Sequence, residues 1–394
     1  MKYFLKLALT ALTLISISGC GLIPTDREDA ANASNTQLAG VIAIAAGELH
    51  TCALMSDSTI KCWGSNLEGQ LGDGTIVSKN RPVRVSGINT ATQLAASYHT
   101  CALLSDNTSR CWGRGYNGQL GDGNATSSRS PVSVSGLSTV KSIDASPRSS
   151  CATLIDNTTQ CWGDYYISNQ NSPNTISGIT NAHTVATGYG HSCVLLNDQT
   201  VQCWGEGSSG QLGNGSSSSN SNPVIVSSIS TATAIAVGGN QAGHSCALLS
   251  DNTIQCWGAN GYGQLGDGTQ TDRSTPTAVS SISTAIAIAV GGGGEGCGGV
   301  GCYNSGHSCA VLSNNTVQCW GANDYGQLGD GTTDNSSLPV TVPGISNATG
   351  VAAGYQHTCA LLSDSTVKCW GYNNQGQLGD GTKQSKLIPE MVLN

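Results

Sequence analysis

One unit of about 50 residues recurs seven times in this chain, from residue 38 onward. In the first copy it comprises His-Thr-Cys-Ala-Leu at 50–54, a turn at 56–59, Cys-Trp-Gly at 62–64 and Gly-Gln-Leu-Gly at 69–72. Repeats of this length, rich in glycine and in short β-type segments, are typical of propellers and other closed arrays. We therefore expect one repeat domain over residues 38–394, although the length alone would allow two or three domains.

Each unit is predicted to contain four strands, which in the first copy are residues 41–46, 50–55, 59–64 and 82–86. A single four-stranded sheet leaves both faces uncovered, so the units must pack face to face, and a ring closes without exposed edges. The pattern leaves open whether the final strand, at 388–393, completes the last blade or the first.

Three elements recur in phase: His-Thr/Ser-x-Ala-Leu, then Trp-Gly, then Gly-Gln-Leu-Gly. This pattern resembles the regulator of chromosome condensation repeat and extends over nearly all of residues 38–394. The resemblance implies an all-β, seven-bladed β-propeller of four-stranded antiparallel blades. The third copy departs from the pattern, because residues 164–171 replace the Gly-Gln-Leu-Gly loop and Ser149 stands where histidine is expected. We expect that blade to have a reshaped edge.

The N-terminus reads as an export signal. Lys2 and Lys6 precede an apolar stretch at 7–17, which is too short to span a bilayer. The following Ile-Ser-Gly-Cys resembles the lipobox of bacterial lipoproteins, so we assign residues 1–19 to a lipoprotein signal peptide, Cys20 to lipid attachment and 20–37 to a flexible tether. The alternative is an ordinary signal peptide with an incidental cysteine. The chain has 17 cysteines, and setting Cys20 aside leaves an even number that can pair.

Every copy contains two cysteines ten positions apart: Cys52 with Cys62, Cys101 with Cys111, Cys151 with Cys161, Cys193 with Cys203, Cys246 with Cys256, Cys309 with Cys319, and Cys359 with Cys369. In a hairpin that turns at Asp57, Cys52 and Cys62 lie opposite each other, and export supplies an oxidising compartment, so we predict one disulfide per blade. Each bridge would contribute about 2–3 kcal/mol by closing a short loop. Cys297 and Cys302, in the glycine-rich insertion at 291–306, are predicted to form a further, local bridge.

A metal site is the alternative use of these cysteines, because His50 could join Cys52 and Cys62 as a third ligand. The third copy keeps its cysteines although Ser149 replaces the histidine, which favours disulfides. We therefore expect no metal and no cofactor. The six repeat histidines are expected to be structural, each with a hydrogen bond to a neighbouring loop.

Charge and symmetry narrow the possible functions. The net charge is -8 and no run of basic residues occurs, which argues against nucleic-acid binding. The aspartates recur at turn positions in copy after copy, as turn formers do, whereas a catalytic constellation should break the repeat. Only the third copy and the insertions at 238–243 and 291–306 break it, and carboxylates there, such as Asp164 and Glu295, are isolated. We expect no enzymatic activity.

The first and third loops of each blade should share one face of the disc. They carry residues typical of binding surfaces, namely Tyr98, Tyr116, Tyr189, Tyr262, Tyr325, Tyr355 and Tyr372 with Asn260, Asn323 and Asn373. The alternative is that the tyrosines seal blade junctions and the asparagines cap turns.

Members of the resembled family include nuclear exchange factors for a small GTPase and secreted β-lactamase inhibitors, whose protein ligands are held on one propeller face. The resemblance implies that mode of binding. We expect a monomeric binding module, anchored to the cell envelope or cell surface (the outer membrane in particular) by its lipid alone, that recognises a protein. A glycan ligand is the alternative, and an enzyme with its site at the irregular blades is a more distant one.

Overall fold

Each repeat forms one four-stranded antiparallel sheet, and the seven sheets are the blades of a propeller. The computed structural model describes residues 36–165, 168–239, 243–292 and 306–394. Strand order within each sheet follows the chain, and the first strands of successive blades contact one another around a central channel. The all-β, seven-bladed fold predicted from the sequence is confirmed.

The strands of blades 1–4 are β1 (Val41–Ala46), β2 (His50–Met55), β3 (Ile60–Gly64), β4 (Lys79–Arg84), β5 (Ala91–Ala96), β6 (His99–Leu104), β7 (Ser109–Gly113), β8 (Ser128–Ser133), β9 (Val140–Ala145), β10 (Ser149–Leu154), β11 (Thr159–Tyr165), β12 (Ser168–Thr175), β13 (Ala182–Thr187), β14 (His191–Leu196), β15 (Val201–Gly205) and β16 (Asn220–Ile225). Those of blades 5–7 are β17 (Ala232–Gly238), β18 (His244–Leu249), β19 (Ile254–Gly258), β20 (Arg273–Ala278), β21 (Ala285–Gly291), β22 (His307–Leu312), β23 (Val317–Gly321), β24 (Ser336–Thr341), β25 (Ala348–Ala353), β26 (His357–Leu362), β27 (Val367–Gly371) and β28 (Lys386–Met391).

The fourth strand of the first blade differs from its prediction. It spans Lys79–Arg84, not residues 82–86, because the ladder pairs Gly64 with Lys79 across a bulge that follows Cys62. Gly64 has a φ of +109°, which a side chain would strain, so the glycine after each tryptophan allows the strand to bend at this point.

The hydrophobic core lies between adjacent blades. In the first blade the second strand is buried along its whole length, and apolar side chains of β2 and β3 pack against those of β5 and β6 in the next blade. The tryptophan of each blade is buried in these layers, and the Trp112 indole N–H donates to the carbonyl of Gln70 in the preceding blade (3.0 Å). The two blades are therefore joined by packing and by a buried hydrogen bond.

Seven disulfides, one per blade, lie within the described part of the chain. Each joins the second and third strands at directly opposed positions, with Cα atoms 4.0–4.1 Å apart. The pairs are those predicted from the sequence: Cys52 with Cys62, Cys101 with Cys111, Cys151 with Cys161, Cys193 with Cys203, Cys246 with Cys256, Cys309 with Cys319, and Cys359 with Cys369. Cys20, Cys297 and Cys302 lie outside the described residues, as do the predicted signal peptide and residues 20–35 of the predicted tether.

The ring closes through paired ends. β28 completes the last blade, so every blade is built from four consecutive strands. Beyond β28, the amide of Leu38 donates to the carbonyl of Val392 (2.9 Å), and the amide of Asn394 donates to that of Thr36 (2.8 Å). Thr36 and Gln37, which the sequence assigns to the end of the tether, take part in this closure.

The outermost strand of every blade is an unpaired edge of its sheet, so the expectation of a ring without exposed edges is wrong, and each of these strands contains one proline. The seven prolines are Pro82, Pro131, Pro173, Pro223, Pro276, Pro339 and Pro389.

Within the described residues, no helix reaches the length and apolar character that a bilayer span requires.

Candidate functional site: the loop face and the central channel

The first and third loops of each blade lie on the same side of the disc, as predicted, and we call this side the loop face. In blade 1, His50 pairs with Gly64 at the ends of β2 and β3, and the amide of Ser65 in the third loop donates to the carbonyl of Leu49 in the first (2.8 Å). On the opposite side, the turn between the second and third strands repeats one arrangement, in which the Asp57 carboxylate accepts from the amide and hydroxyl of Thr59. Hydrogen bonding to Thr59 lowers the pKa of Asp57.

The asparagines assigned to the binding face are internal supports of the third loops. The Asn260 amide donates to Asp267 (3.2 Å) and to the Thr269 carbonyl (3.1 Å), and its oxygen accepts from the amide of Leu265 (3.0 Å). Asn260, Asn323 and Asn373 are fully buried, so the assignment of these three residues to the ligand-contacting surface is wrong. A turn-capping amide must face its own loop and cannot face a ligand as well.

The tyrosines fall into three groups by exposure. Tyr116 and Tyr325 are 60% and 38% exposed, whereas Tyr355 is only 8% exposed and cannot offer a broad contact surface. The rings of Tyr325 and Tyr372 meet edge to face, with centroids 4.9 Å apart, across the junction of blades 6 and 7. The remaining assigned tyrosines are half-buried: Tyr98, Tyr189, Tyr262 and Tyr372.

An exposed apolar patch occupies the third loops of blades 1 and 2. Leu67, Ile76, Val77 and Tyr116, which define the patch, are 52–70% exposed. The two loops are in contact, since the Ser127 hydroxyl donates to the Glu68 carboxylate (2.9 Å). The aliphatic part of this patch was not predicted from the sequence. The signal for it was Leu67 in the first copy, where the fourth, sixth and seventh copies have Ser208, Asp324 and Asn374.

Two arginines lie on the loop face beside tyrosines. The Arg114 guanidinium is 4.8 Å from the ring centroid of Tyr98, and that of Arg148 is 5.0 Å from the ring of Tyr189. Arg148 also pairs with Asp164 (3.2 Å) in the irregular third blade. These cation–π contacts hold the guanidinium groups in place on the surface of an acidic chain.

The six repeat histidines connect neighbouring blades and are fully buried or nearly so. Nε2 of His50 lies 2.8 Å from the Thr100 hydroxyl, and Nε2 of His357 closes the ring on Thr51 (2.8 Å). The partner is thus a hydroxyl on the second strand of the next blade, whereas the sequence suggested a loop. Among the described residues, no group of three metal-ligating side chains occurs.

The central channel contains a carboxylate that breaks the repeat. Asp144 on β9 lines a cavity of about 240 Å³, and its Oδ2 accepts from the amide of Thr187 (2.7 Å) and from the Thr187 hydroxyl (3.2 Å). Burial raises the pKa of Asp144 to about 6. Asp144 was not predicted from the sequence. The one sign of it is that the other six blades have alanine at the same position of the first strand.

Models of one repeat family match most of this chain. The regulator of chromosome condensation (RCC1) repeat matches residues 62–104, 111–153, 199–248, 251–295 and 314–361. A second model of the same repeat matches residues 41–70, 97–119, 182–211, 233–264, 300–327 and 348–377. The chain belongs to the RCC1 repeat family. The matched ranges leave out residues 154–181, which contain the departing half of the third RCC1 repeat.

Solved structures share the RCC1 fold. Yeast RCC1 (Prp20), determined with Kap60, superposes with a TM-score of 0.70 at 18% identity, covering 94% of this chain and 91% of that one. Human WBSCR16 superposes with a TM-score of 0.71 at 21% identity, covering 84% and 93%. At this identity the similarity concerns the fold alone.

Curated relatives match over part of their length. Human E3 ubiquitin-protein ligase HERC2 is 28% identical over 144 residues, which are 34% of this chain and 3% of the ligase. The Arabidopsis thaliana ultraviolet-B receptor UVR8 is 30% identical over 134 residues, 34% of this chain and 28% of the receptor. This chain therefore shares RCC1 repeats with both proteins and spans a small part of either.

Proposed function

We propose that this RCC1-repeat protein is a lipid-anchored binding module of the cell envelope that holds a protein ligand on its loop face. RCC1-type propellers are protein-binding modules: the structure of yeast RCC1 was determined with Kap60, and Prp20p was described with its binding to Gsp1p and histones. These relatives support the mode of binding and not the identity of the ligand, because no contact of those complexes is assigned to residues of this chain.

The observation that carries the proposal is the asymmetry of the loop face. The apolar patch is confined to blades 1 and 2, and the neighbouring Arg114 is held against Tyr98. Tyrosine and arginine are enriched at the centres of protein interfaces, and contiguous exposed apolar side chains mark interaction sites. An arginine already held by a ring loses less side-chain entropy on binding.

The burial of the three asparagines favours a protein ligand over a glycan. The glycan interpretation used exposed amides alongside the tyrosines, and the amides of Asn260, Asn323 and Asn373 are occupied within their loops. The aliphatic side chains of Leu67, Ile76 and Val77 offer a sugar no hydrogen bonds. Catalysis is not proposed, since the match to the HERC2 ligase is confined to a segment that is 3% of that enzyme.

Capture from a native envelope extract tests the proposal. The wild-type protein should retain a specific protein, and a variant with Leu67→Ser, Ile76→Ser and Tyr116→Ser should lose at least ten-fold of it. The matched control places serine at three exposed aliphatic residues of the outermost strands: Ile225, Leu338 and Ile388. This control should capture as the wild type does. Equal capture by all three proteins would remove the apolar patch as the binding surface.

Two further measurements accompany this experiment. A Tyr262→Ser/Tyr325→Ser/Tyr372→Ser variant asks whether the tyrosines of blades 5–7 belong to the same surface. Metabolic labelling with an alkynyl fatty acid tests the anchor: the wild-type protein should be labelled and Cys20→Ser should not. Labelling of the serine variant, or none of the wild type, would overturn the lipid attachment.

A further inference from the structure

The wall of the central channel is nearly uniform. At the position of each first strand that faces the half-cystine of the second strand, six blades have alanine: Ala45, Ala95, Ala186, Ala236, Ala289 and Ala352. Blade 3 has Asp144 at this position, opposite Cys151. Alanine at this position is compatible with ring closure in six blades, so the carboxylate of the third blade is not required for packing.

The rest of the cavity wall offers the Asp144 carboxylate no counter-charge. The described side chains that line the cavity are aliphatic except for Asp144 and Gln93. The Gln93 amide is occupied by the backbone of the next blade, accepting from the Ile143 amide (3.3 Å) and donating to the Ile143 carbonyl (3.4 Å). Asp144 is therefore the one ionisable group among the described residues around this cavity.

The carboxylate is enclosed, but solvent still reaches it. Asp144 is half-buried by surface area, although protein atoms surround it on the channel wall. The two hydrogen bonds from Thr187 both end on Oδ2, and the Ala145 amide also bonds to the carboxylate, which can accept about four hydrogen bonds in all. Acceptor capacity thus remains on the side of the cavity. A carboxylate in an apolar enclosure is stabilised strongly by an opposite charge that enters with it.

We propose that the channel binds a primary alkylammonium ligand, with the ammonium group on the Asp144 carboxylate and the short alkyl chain against the aliphatic wall. The ammonium group supplies three donors to a carboxylate that has acceptors to spare. The cavity, at about 240 Å³, is smaller than the roughly 300–1,000 Å³ of sites for drug-sized ligands, so the ligand is small. A divalent metal ion is a poorer occupant, because it requires several oxygen ligands and one carboxylate is present.

The raised pKa of Asp144 agrees with this geometry, since desolvation without a compensating cation favours the protonated acid. A bound ammonium would lower that pKa. Four strands pack against β9. β13 donates to the carboxylate through Thr187, β5 contributes Gln93 to the cavity wall, and β10 places the disulfide-bonded Cys151 opposite Asp144, and none of these side chains titrates in this range. On β6, the one titratable side chain, His99, bonds to β10. A pH dependence of ligand binding would therefore report on Asp144.

The site is tested by titrating the mature protein with n-butylammonium chloride at pH 7.5 and following NMR shifts of channel methyl groups. Saturable shifts of channel residues are expected with the amine and none with n-butanol, its uncharged counterpart. Asp144→Asn keeps an acceptor for the Thr187 amide but removes the charge, and Asp144→Ala restores the residue of the other blades. Both should weaken binding at least ten-fold, whereas Asp164→Asn, which alters a carboxylate of the loop face, should not.

The outcomes that would overturn the proposal are equally direct. The proposal fails if the wild type and either Asp144 variant bind n-butylammonium with equal affinity, or if n-butanol produces the same shifts as the amine. It also fails if the wild type shows no saturable shift up to about 10 mM amine. The inference does not rest on capture of a protein by the loop face, because the amine titration uses the purified chain alone.

Discussion

Acid should destabilise this propeller through its six buried histidines. Burial lowers the pKa of His50, His99, His191, His244 and His357 from 6.5 to about 3, and that of His307 to about 4. The folded protein therefore keeps these imidazoles neutral while the unfolded chain takes up protons. The contribution of these histidines to the free energy of unfolding is therefore fully present above pH 6.5 and is lost as the pH falls from there towards 3.

The expected loss is large at pH 5. pH 5 lies about 1.5 units below the pKa of an imidazole in the unfolded chain. The free energy of unfolding therefore falls by about 2 kcal/mol per histidine and by about 12 kcal/mol for the six. Asp144 acts in the opposite direction, because its pKa is raised to about 6 and the folded protein binds that proton first. Its protonation restores about 1 kcal/mol of the free energy of unfolding, so the net loss is on the order of 10 kcal/mol.

Guanidinium unfolding with intact disulfides at pH 7.5, 6.5, 5.5 and 5.0 measures this dependence. Near pH 5 the slope should correspond to about five protons taken up on unfolding, or about 7 kcal/mol per pH unit. His307→Gln removes one titrating group and should lower the slope by about 1 kcal/mol per pH unit. A free energy of unfolding that stays constant within about 1 kcal/mol from pH 7.5 to 5 would refute the assignment of these histidines as neutral buried links.

Three further substitutions test the supports of the fold. Replacing Cys52 and Cys62 together by alanine should lower the free energy of unfolding by about 2–3 kcal/mol in denaturant titrations, and no loss would mean that the bridge does not constrain the unfolded chain. Asn260→Ala should cost about 1–3 kcal/mol yet leave ligand capture unchanged, because the amide supports its own loop; reduced capture by a stable variant would restore it to the binding surface. Gly72→Ala should destabilise by more than about 1 kcal/mol, since the new Cβ would lie 2.6 Å from Trp112 Nε1 at a φ of +67°, and an unchanged melting temperature would contradict this packing.

The parts of the fold that follow from local pattern were predictable from the sequence. Cys52 and Cys62 lie symmetrically about a turn, and that symmetry fixes both the register of the hairpin and the disulfide. The outermost strand was less predictable, because the Lys79–Arg84 strand is polar and only partly buried, and its register depends on a bulge at Gly64. A polar strand carries little periodic signal of its own.

The candidate site was predicted in outline but not in its composition. Sharing of one face by the first and third loops follows from strand alternation, so the side of the disc was correct. The direction in which a side chain points is a property of the folded loop, and for this reason Asn260 could be read as exposed when it is buried. Leu67 and Asp144 were not predicted, because the predictions rested on residues that recur in every copy. Each of these two residues occurs in one copy only and departs from the repeat pattern.

The prolines of the outermost strands govern how one ring can meet another. A sheet margin recruits a strand from another molecule through its unpaired amides, and proline has no amide hydrogen to offer. With a proline in every outermost strand, from Pro82 to Pro389, each blade edge lacks one amide donor, which disfavours pairing of neighbouring rings edge to edge. Association is thereby directed to the flat sides of the disc, where side chains and not the backbone select the partner.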